Sequence, residues 1–411
     1  SLNRASRGDP PRAERTRPIA MTTSSGVGKG AAETRDEPGL APPIVSAEEF
    51  HRRAAANVHA RAREAHLAFY SSWTDCITTD PAAMVLPMDD HMAHRGHGVF
   101  DTAHLHAGHL HMLDRHVSRF FKSMRAANIP PPFDRRVVTS LILRVAAAGG
   151  SREGQLRFYA SAGPGGFALD QSECVKSVFY CVAVKKRQDA EKTNRGVAVV
   201  TSSVPIKPPA FATVKSTNYL PNALVVADAK RRGAHYGIWL TEDGKHVAEG
   251  PSMNAGFVVR RASMRFENET SVLGDDRDGT PIEDGMEESK TELRFLTPPW
   301  DETLAGCTVA RAVELVNEGR FEHLGLKGPA LIEPVSLAEA RNAAELMLIG
   351  SVINCLPITR WDGTEVGEVP GVVGPVAVAM RDAIEADFET NAKELTRVPY
   401  ETFETRVVKE Q

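Results

Sequence analysis

Lys215 stands in Thr213-Val214-Lys215-Ser216-Thr217-Asn218-Tyr219, and Glu249 follows in Val247-Ala248-Glu249-Gly250-Pro251-Ser252-Met253-Asn254. Each sits in its own compact polar frame. A lysine amine condenses with an aldehyde, and a carboxylate can keep a pyridine nitrogen protonated so that the ring acts as an electron sink. An amine and an acid of this kind are what pyridoxal phosphate asks of a protein. Further on, Gly306-Cys307-Thr308 lies at the mouth of a helix, where backbone N–H groups and the threonine hydroxyl form an anion site. Alone, each of these has a plainer reading: a solvated lysine, a turn-flanking carboxylate, a helix start.

The elements that must position them read as an α+β protein in two domains. The spacing of Phe50, Ala54, Val58, Ala62, Ala65 and Phe69 predicts a helix from Ala47 to about Ser72. Met84 to Asp90 reads as a strand ending in a turn. Gly98 to Leu105 and His109 to Leu113 form a hairpin about His106-Ala107-Gly108. Asp114 is the expected cap of a helix to about Ala127 that buries Val117, Phe120, Phe121 and Met124 and leaves Arg119 on a different side. A helix from Arg135 to Ala148 stops at Gly149-Gly150, and strands Gln155 to Ser161 and Ser177 to Val184 complete a small domain over 47–186. The polar run 187–196 reads as a linker. A larger domain, 197–411, opens with the apolar run Val197 to Val204. It continues through helix Leu220 to Arg232, strands Tyr236 to Thr241 and Ala255 to Arg260, helices Thr308 to Glu318 and Leu337 to Asn342, strand Glu345 to Gly350, and helix Val376 to Ala392. About 268–291 is acidic and polar, and is expected to be a solvated insertion.

Length and composition agree with this division. The chain has 411 residues, 42% apolar and 25% charged, and a single core rarely grows beyond ~250–300 residues. A net charge of -4 gives no electrostatic reason for a nucleic-acid or anionic-membrane partner. No apolar run approaches the ~18 residues of a membrane helix. Cys76, Cys174, Cys181, Cys307 and Cys355 are odd in number and lack C-x-x-C spacing, so reduced thiols are expected. Residues 1–46 are rich in arginine and small residues with almost no aliphatic pattern, which reads as a disordered leader. They also fit an organellar transit peptide or its remnant, hence a plastid or another organelle; a passive leader on a cytoplasmic protein is the alternative.

Several motifs recur in one order: Arg95-Gly96-His97-Gly98-Val99-Phe100-Asp101-Thr102, then Leu113-Asp114-Arg115-His116-Val117-Ser118-Arg119-Phe120, the Lys215 and Glu249 frames, Leu304-Ala305-Gly306-Cys307-Thr308, and Leu348-Ile349-Gly350-Ser351. This succession resembles the class IV (fold type IV) pyridoxal-phosphate enzymes: branched-chain aminotransferases, D-amino acid aminotransferases and aminodeoxychorismate lyases. Leu86-Pro87-Met88-Asp89-Asp90 and Pro205-Ile206-Lys207-Pro208-Pro209 make it look most like the plant D-amino acid transaminases.

The resemblance implies pyridoxal 5'-phosphate held between two domains. Lys215 would be the Schiff-base lysine and proton-moving base, and Glu249 the pyridinium partner. Arg119, Cys307, Thr308, Ser351 and Asn254 would bind the cofactor; Val309 replaces an arginine that the family often has there. Asn218 and Tyr219 would help place the lysine. Phe100, Thr102, Arg157 and Tyr219 are the substrate-side candidates. The loop Gly163-Pro164-Gly165-Gly166-Phe167 lacks the arginine and histidine with which bacterial D-amino acid aminotransferases trap a carboxylate. Arg157 is the replacement candidate, with a structural arginine as the equal alternative. The resemblance further implies a homodimer acting on an amino acid and a 2-oxo acid. A D-amino acid is the expected donor, with the lyase and a branched-chain aminotransferase as alternatives. Histidines crowd His91 to His116, but no metal is expected: the carboxylate or cysteine framework of a metal site is missing.

Overall fold

Apolar runs long enough to be buried on both faces give this chain two sheets. The computed structural model describes residues 42–185, 195–262 and 291–402. Residues 42–52 hold an irregular start and the beginning of helix α1 (Ala47–Asn57). The described residues from Arg53 onward form one compact unit. There α2 (Ala60–Ala65) leads into the first sheet: β1 (His66–Ser71), β2 (Cys76–Thr78), β3 (Gly98–His106), β4 (His109–His111), β5 (Gly154–Ser161) and β6 (Val178–Val184). Every pairing in it is antiparallel. Helix α3 (His91–Arg95) precedes β3, and α4 (Leu113–Ala126) and α5 (Arg135–Ala148) pack on one face.

Alternation along β3 decides what each face carries. Val99, Ala103 and Leu105 enter a core with Val117, Phe120 and Met124 of α4, and Asp101 points the same way. Phe100 and Thr102 face the other side, opposite Tyr159 and Arg157 of β5.

The second sheet uses β7 (Val197–Thr201), β8 (Tyr236–Ile238), β10 (Asn254–Ala262), β11 (Thr291–Thr297), β12 (Leu326–Ile332), β14 (Glu345–Gly350), β15 (Asn354–Trp361) and β16 (Thr364–Glu365). A ribbon of β9 (His246–Val247) and β13 (Val335–Ser336) lies beside it. Helices α6 (Pro209–Ala212) and α7 (Leu220–Arg231) follow β7; α8 (Cys307–Asn317), α9 (Leu337–Arg341) and α10 (Pro375–Thr390) come later. Val258, Met347 and Ile349 pack on α8 and α10, whereas Phe257, Leu346 and Leu348 pack on the ribbon and α9. The last strand, β17 (Leu395–Arg397), returns to pair with β4 of the first sheet.

Four local expectations need correction. The long first helix does not run to Ser72: it breaks after Asn57, and from His66 the chain is strand β1. Leu67 to Tyr70 have a helical spacing with the preceding residues, but pairing with β2 and β6 outweighs it. Met84 to Asp90 is no strand. Its acid end instead caps α3, with Asp90 accepting from Met92 N–H at 2.9 Å. Asp114 lies inside the first turn of α4, and the cap position belongs to Met112, which makes no side-chain cap bond. Val197 to Val204 leaves the sheet after Thr201. Strands β11, β12 and β15 help carry the second sheet although no sequence pattern announces them. The leader through residue 41, most of the linker (186–194) and nearly all of the acidic insertion (263–290) lie outside the described residues.

Candidate active site

The stretch around Lys215 follows α6, yet its backbone runs beside β3. Phe100 N–H donates to Lys215 O at 2.9 Å, Thr217 N–H to Gly98 O at 2.8 Å, and Lys215 N–H to the Ser123 hydroxyl of α4 at 3.3 Å. Asn218 anchors the next turn through Gly96 O at 3.1 Å. Gly96 has φ +67°, and a Cβ there would lie 2.1 Å from Asn218 Oδ1, so this corner requires glycine. The Lys215 ammonium reaches the Tyr219 hydroxyl at 3.4 Å and lies 4.8 Å from the centre of the Phe100 ring.

Glu249 faces the same cavity from the second sheet's side. It is 5% exposed and accepts a hydrogen bond from Leu304 N–H at 3.2 Å. Burial raises its proton affinity, and the charges of Lys207 and Lys215 and the Leu304 N–H offset this only in part, leaving it at about 7.

The third wall favours an anion. Gly306 leads α8 without a side-chain cap, so the first N–H groups of the helix have no internal partner. Thr308 and Ser351 bring their hydroxyls to 3.1 Å of each other. Asn254 donates to Leu304 O at 2.8 Å, and a Cβ on Gly306 would collide with its Oδ1 at 2.0 Å. Arg119 is fixed by a two-point bond to Asp101, at 2.9 and 2.8 Å, and donates to Ala305 O at 3.1 Å. His116, one turn earlier, shares Asp101 at 2.8 Å. Burial alone would push Asp101 up, but Arg119 and His116 hold it well below the usual carboxylate range. Burial would lower His116, yet the Cys307 sulfur and Asp101 outweigh it and bring it to about 9. The same neighbours, His116 and Arg119, pull the Cys307 thiol down against its burial.

Lys215, Glu249, Arg119, Cys307, Thr308, Ser351, Asn254 and Tyr219 thus line one cavity. Phe100 joins them through Lys215 and Tyr219, its ring centre 5.1 Å from that of Tyr219. Thr102 is buried opposite Arg157, and Arg157 lines a separate cavity with Tyr159, Phe69 and Tyr180. Sequence reasoning passed over Asp101 and His116, although His116 and Arg119 are one turn apart on α4. It also gave no role to Lys207 or Asn222, which line the cavity. Asn222 Oδ1 is buried there without a hydrogen-bond partner among the described residues. Other clustered histidines serve packing: His104 and His111 lie edge-on to Phe388, and His97 bonds Ala127 O at 2.8 Å. Among the described residues no group of three or more His, Cys, Asp or Glu is placed to hold a metal.

An amine, a buried acid and an anion cradle on one cavity fit a phosphorylated heterocyclic aldehyde, and the buried Asn222 oxygen, unpartnered among the described residues, adds an acceptor to the same lining. Two-sheet architecture and such a site together define an enzyme that works on amino groups. Residues 98–361 match the family described as amino-transferase class IV, and the chain belongs to that family, with its fold type IV architecture. It is 40% identical to the chloroplastic D-amino-acid transaminase of Arabidopsis thaliana, over 87% of this chain and 86% of the relative. It is 30% identical to a bifunctional aminodeoxychorismate lyase / D-amino acid transaminase of Mycobacterium tuberculosis, over 42% of this chain and 60% of the relative. The fold matches the branched-chain amino acid aminotransferase of Thermobaculum terrenum solved in its PLP form, with a TM-score of 0.62 at 18% identity, covering 82% of this chain and 99% of that one.

Glu249 gives a pH signature. Its proton affinity in the fold exceeds its usual 4.5, so its contribution to stability is complete below that value and is lost as pH rises through about 7. Glu249→Gln should abolish this loss, gaining on the order of 3 kcal/mol over the cofactor-free parent at about pH 8 and little at about pH 4.5. Urea midpoints of both proteins at the two pH values check it.

Proposed function

We propose that the protein is a pyridoxal 5'-phosphate-dependent transaminase that moves an amino group from a D-amino acid such as D-alanine to a 2-oxo acid. The observation that carries this reading is the convergence of Lys215, Glu249 and the Arg119–Thr308–Ser351 cradle on one cavity. The name of the Arabidopsis relative supports the D-amino acid donor.

Bound there, pyridoxal 5'-phosphate supplies a ring that stabilises negative charge at the substrate Cα. Arg119, Thr308, Ser351 and the N–H groups at the start of α8 hold its phosphate. Glu249 would pair with its ring nitrogen and hold a proton there. Lys215 Nζ would hold the aldehyde carbon and, once released, would move the proton from the substrate Cα to that carbon, with Tyr219 Oη 3.4 Å from the amine. Phe100 covers the amine and excludes water from it. Cys307 and Asn254 serve through the backbone and the Leu304 loop. Phe100 and Tyr219 line the substrate side, and Thr102 and Arg157 stand one layer further out on the same sheet face. The bifunctional relative favours pyruvate elimination from aminodeoxychorismate as the second reading.

The two sheets are, in this reading, the two domains, and a homodimer is the working form. The relative's printed location supports a plastid. Among the described residues no helix is long and apolar enough to cross a membrane.

Purified protein given the cofactor should transfer nitrogen from D-alanine to 2-oxoglutarate faster than from L-leucine, and faster than it forms 4-aminobenzoate from aminodeoxychorismate. Chromatography of the three mixtures reads this, and a preference for either alternative overturns it. Lys215→Ala should lose turnover by a factor of at least ~10³ and lose the mass adduct left by borohydride trapping. In Arg119→Ala, cofactor affinity should fall by ~10-fold or more with the protein still folded, read by equilibrium dialysis. Sedimentation at micromolar concentration should give a dimer; monomer alone refutes that assignment.

A further inference from the structure

Pro205-Ile206-Lys207-Pro208-Pro209 stands out by its composition, and the proposed chemistry leaves its lysine without a task. Three prolines fix φ and remove N–H donors, so the segment joins no sheet. It is fastened instead by side chains: Val204 and Ile206 pack on the buried Trp239, Val225 and Ala248, and Trp239 Nε1 donates to Val204 O at 2.9 Å. Lys207 is thereby turned into the cavity wall beside Glu249, with its ammonium 5.4 Å from the Tyr219 ring centre and 5.8 Å from that of Trp239. It makes no hydrogen bond or ion pair among the described residues. A half-buried cation that meets only two ring faces, with no anion or hydrogen-bond acceptor against it, still projects its field into the cavity.

The group in reach of that field is Glu249. The charged and titratable side chains around it are Lys207 on the proline segment and Lys215 and Tyr219 on the turn before α7. Arg119 of α4 and Cys307 of α8 stand on the cavity's other walls. The adjoining Trp239 and Ala248 carry no charge, and the Leu304 loop offers only its N–H. Of these, Lys207 exerts the largest charge effect on Glu249, ahead of Lys215. In the proposed chemistry Lys215 Nζ is itself engaged with the cofactor aldehyde and the substrate. Lys207 takes no part in the chemistry, and its charge remains.

We propose that Lys207 is a positioning residue that acts through Glu249: its charge at the cavity wall favours the ionised form of this buried carboxylate, so the site accepts a protonated ring nitrogen at lower pH than it would without Lys207. The role in cofactor binding rests on the reading of the site given above; the action on Glu249 does not.

Two measurements separate these. In the cofactor-free protein, Lys207→Met should enlarge the stability lost between about pH 4.5 and 8, and this change should vanish when Glu249→Gln is also present. With pyridoxal 5'-phosphate as the probe, the acid limb of its affinity, measured by Trp fluorescence, should move up by roughly one pH unit in Lys207→Met. Near pH 6.5 that is a roughly tenfold loss, with no difference near pH 9. Lys207→Arg should restore the parent profile, and Lys207→Gln, as a second neutral variant, should behave as Lys207→Met. An unmoved limb, an equal loss at every pH, or a shift that persists beside Glu249→Gln overturns the proposal. Should the parent bind no pyridoxal 5'-phosphate while the stability arm behaves as described, the cofactor reading fails and the Lys207–Glu249 coupling stands.

Discussion

Backbone pairing between the Lys215 turn and β3 is the constraint on which the site depends. The lysine belongs to chain that builds the second sheet's side, but its peptide groups bond to Phe100, Gly98 and Ser123 of the first. One short edge-on contact therefore fixes the amine relative to the strand that carries Phe100 and to the helix that carries Arg119. Were it to slip by one residue, Lys215 would leave the cavity, since neighbouring side chains of an extended segment point to opposite sides.

Charge is distributed unevenly around the cavity. At the anion end, Arg119, His116, Asp101 and Cys307 form a closed group in which each buried charge has a partner within hydrogen-bond reach or an opposite neighbour. This group fixes the guanidinium while leaving it at the cavity wall. At the opposite end Glu249 accepts, among the described residues, one hydrogen bond, from Leu304 N–H. A buried carboxylate in that condition favours binding a cation or a protonated nitrogen, because the ligand then supplies what the fold withholds.

Much of this was legible in the sequence, and the residues show why. Lys215, Glu249, Thr308 and Ser351 sit in short frames of glycine, proline and small polar residues whose order survives without knowledge of pairing. Helices α5 and α7 were readable from glycine stops and apolar spacing. What escaped was set by contacts distant in sequence. His66 to Ser71 becomes a strand only because β2 and β6 flank it. Asp90 is a cap and a buried acceptor for Ser161 and Tyr180 rather than the end of a strand. Asp101 looks like any strand acid until α4 brings Arg119 and His116 over it. Arg157 looks close to the amine because its strand is the neighbour of β3, but register with Thr102, one step beyond Phe100 on that face, sends it to a separate cavity.

The return of β17 has a bearing on how the chain is made. Leu395 to Arg397 close the β4 edge of the first sheet, Val398 enters its core, and Tyr400 Oη bonds Ser151 O at 2.7 Å. The sheet that β1 begins thus waits for a strand that follows all the strands of the second sheet in the chain. Until that strand has been synthesised the β4 edge stays open, a template for the wrong neighbour.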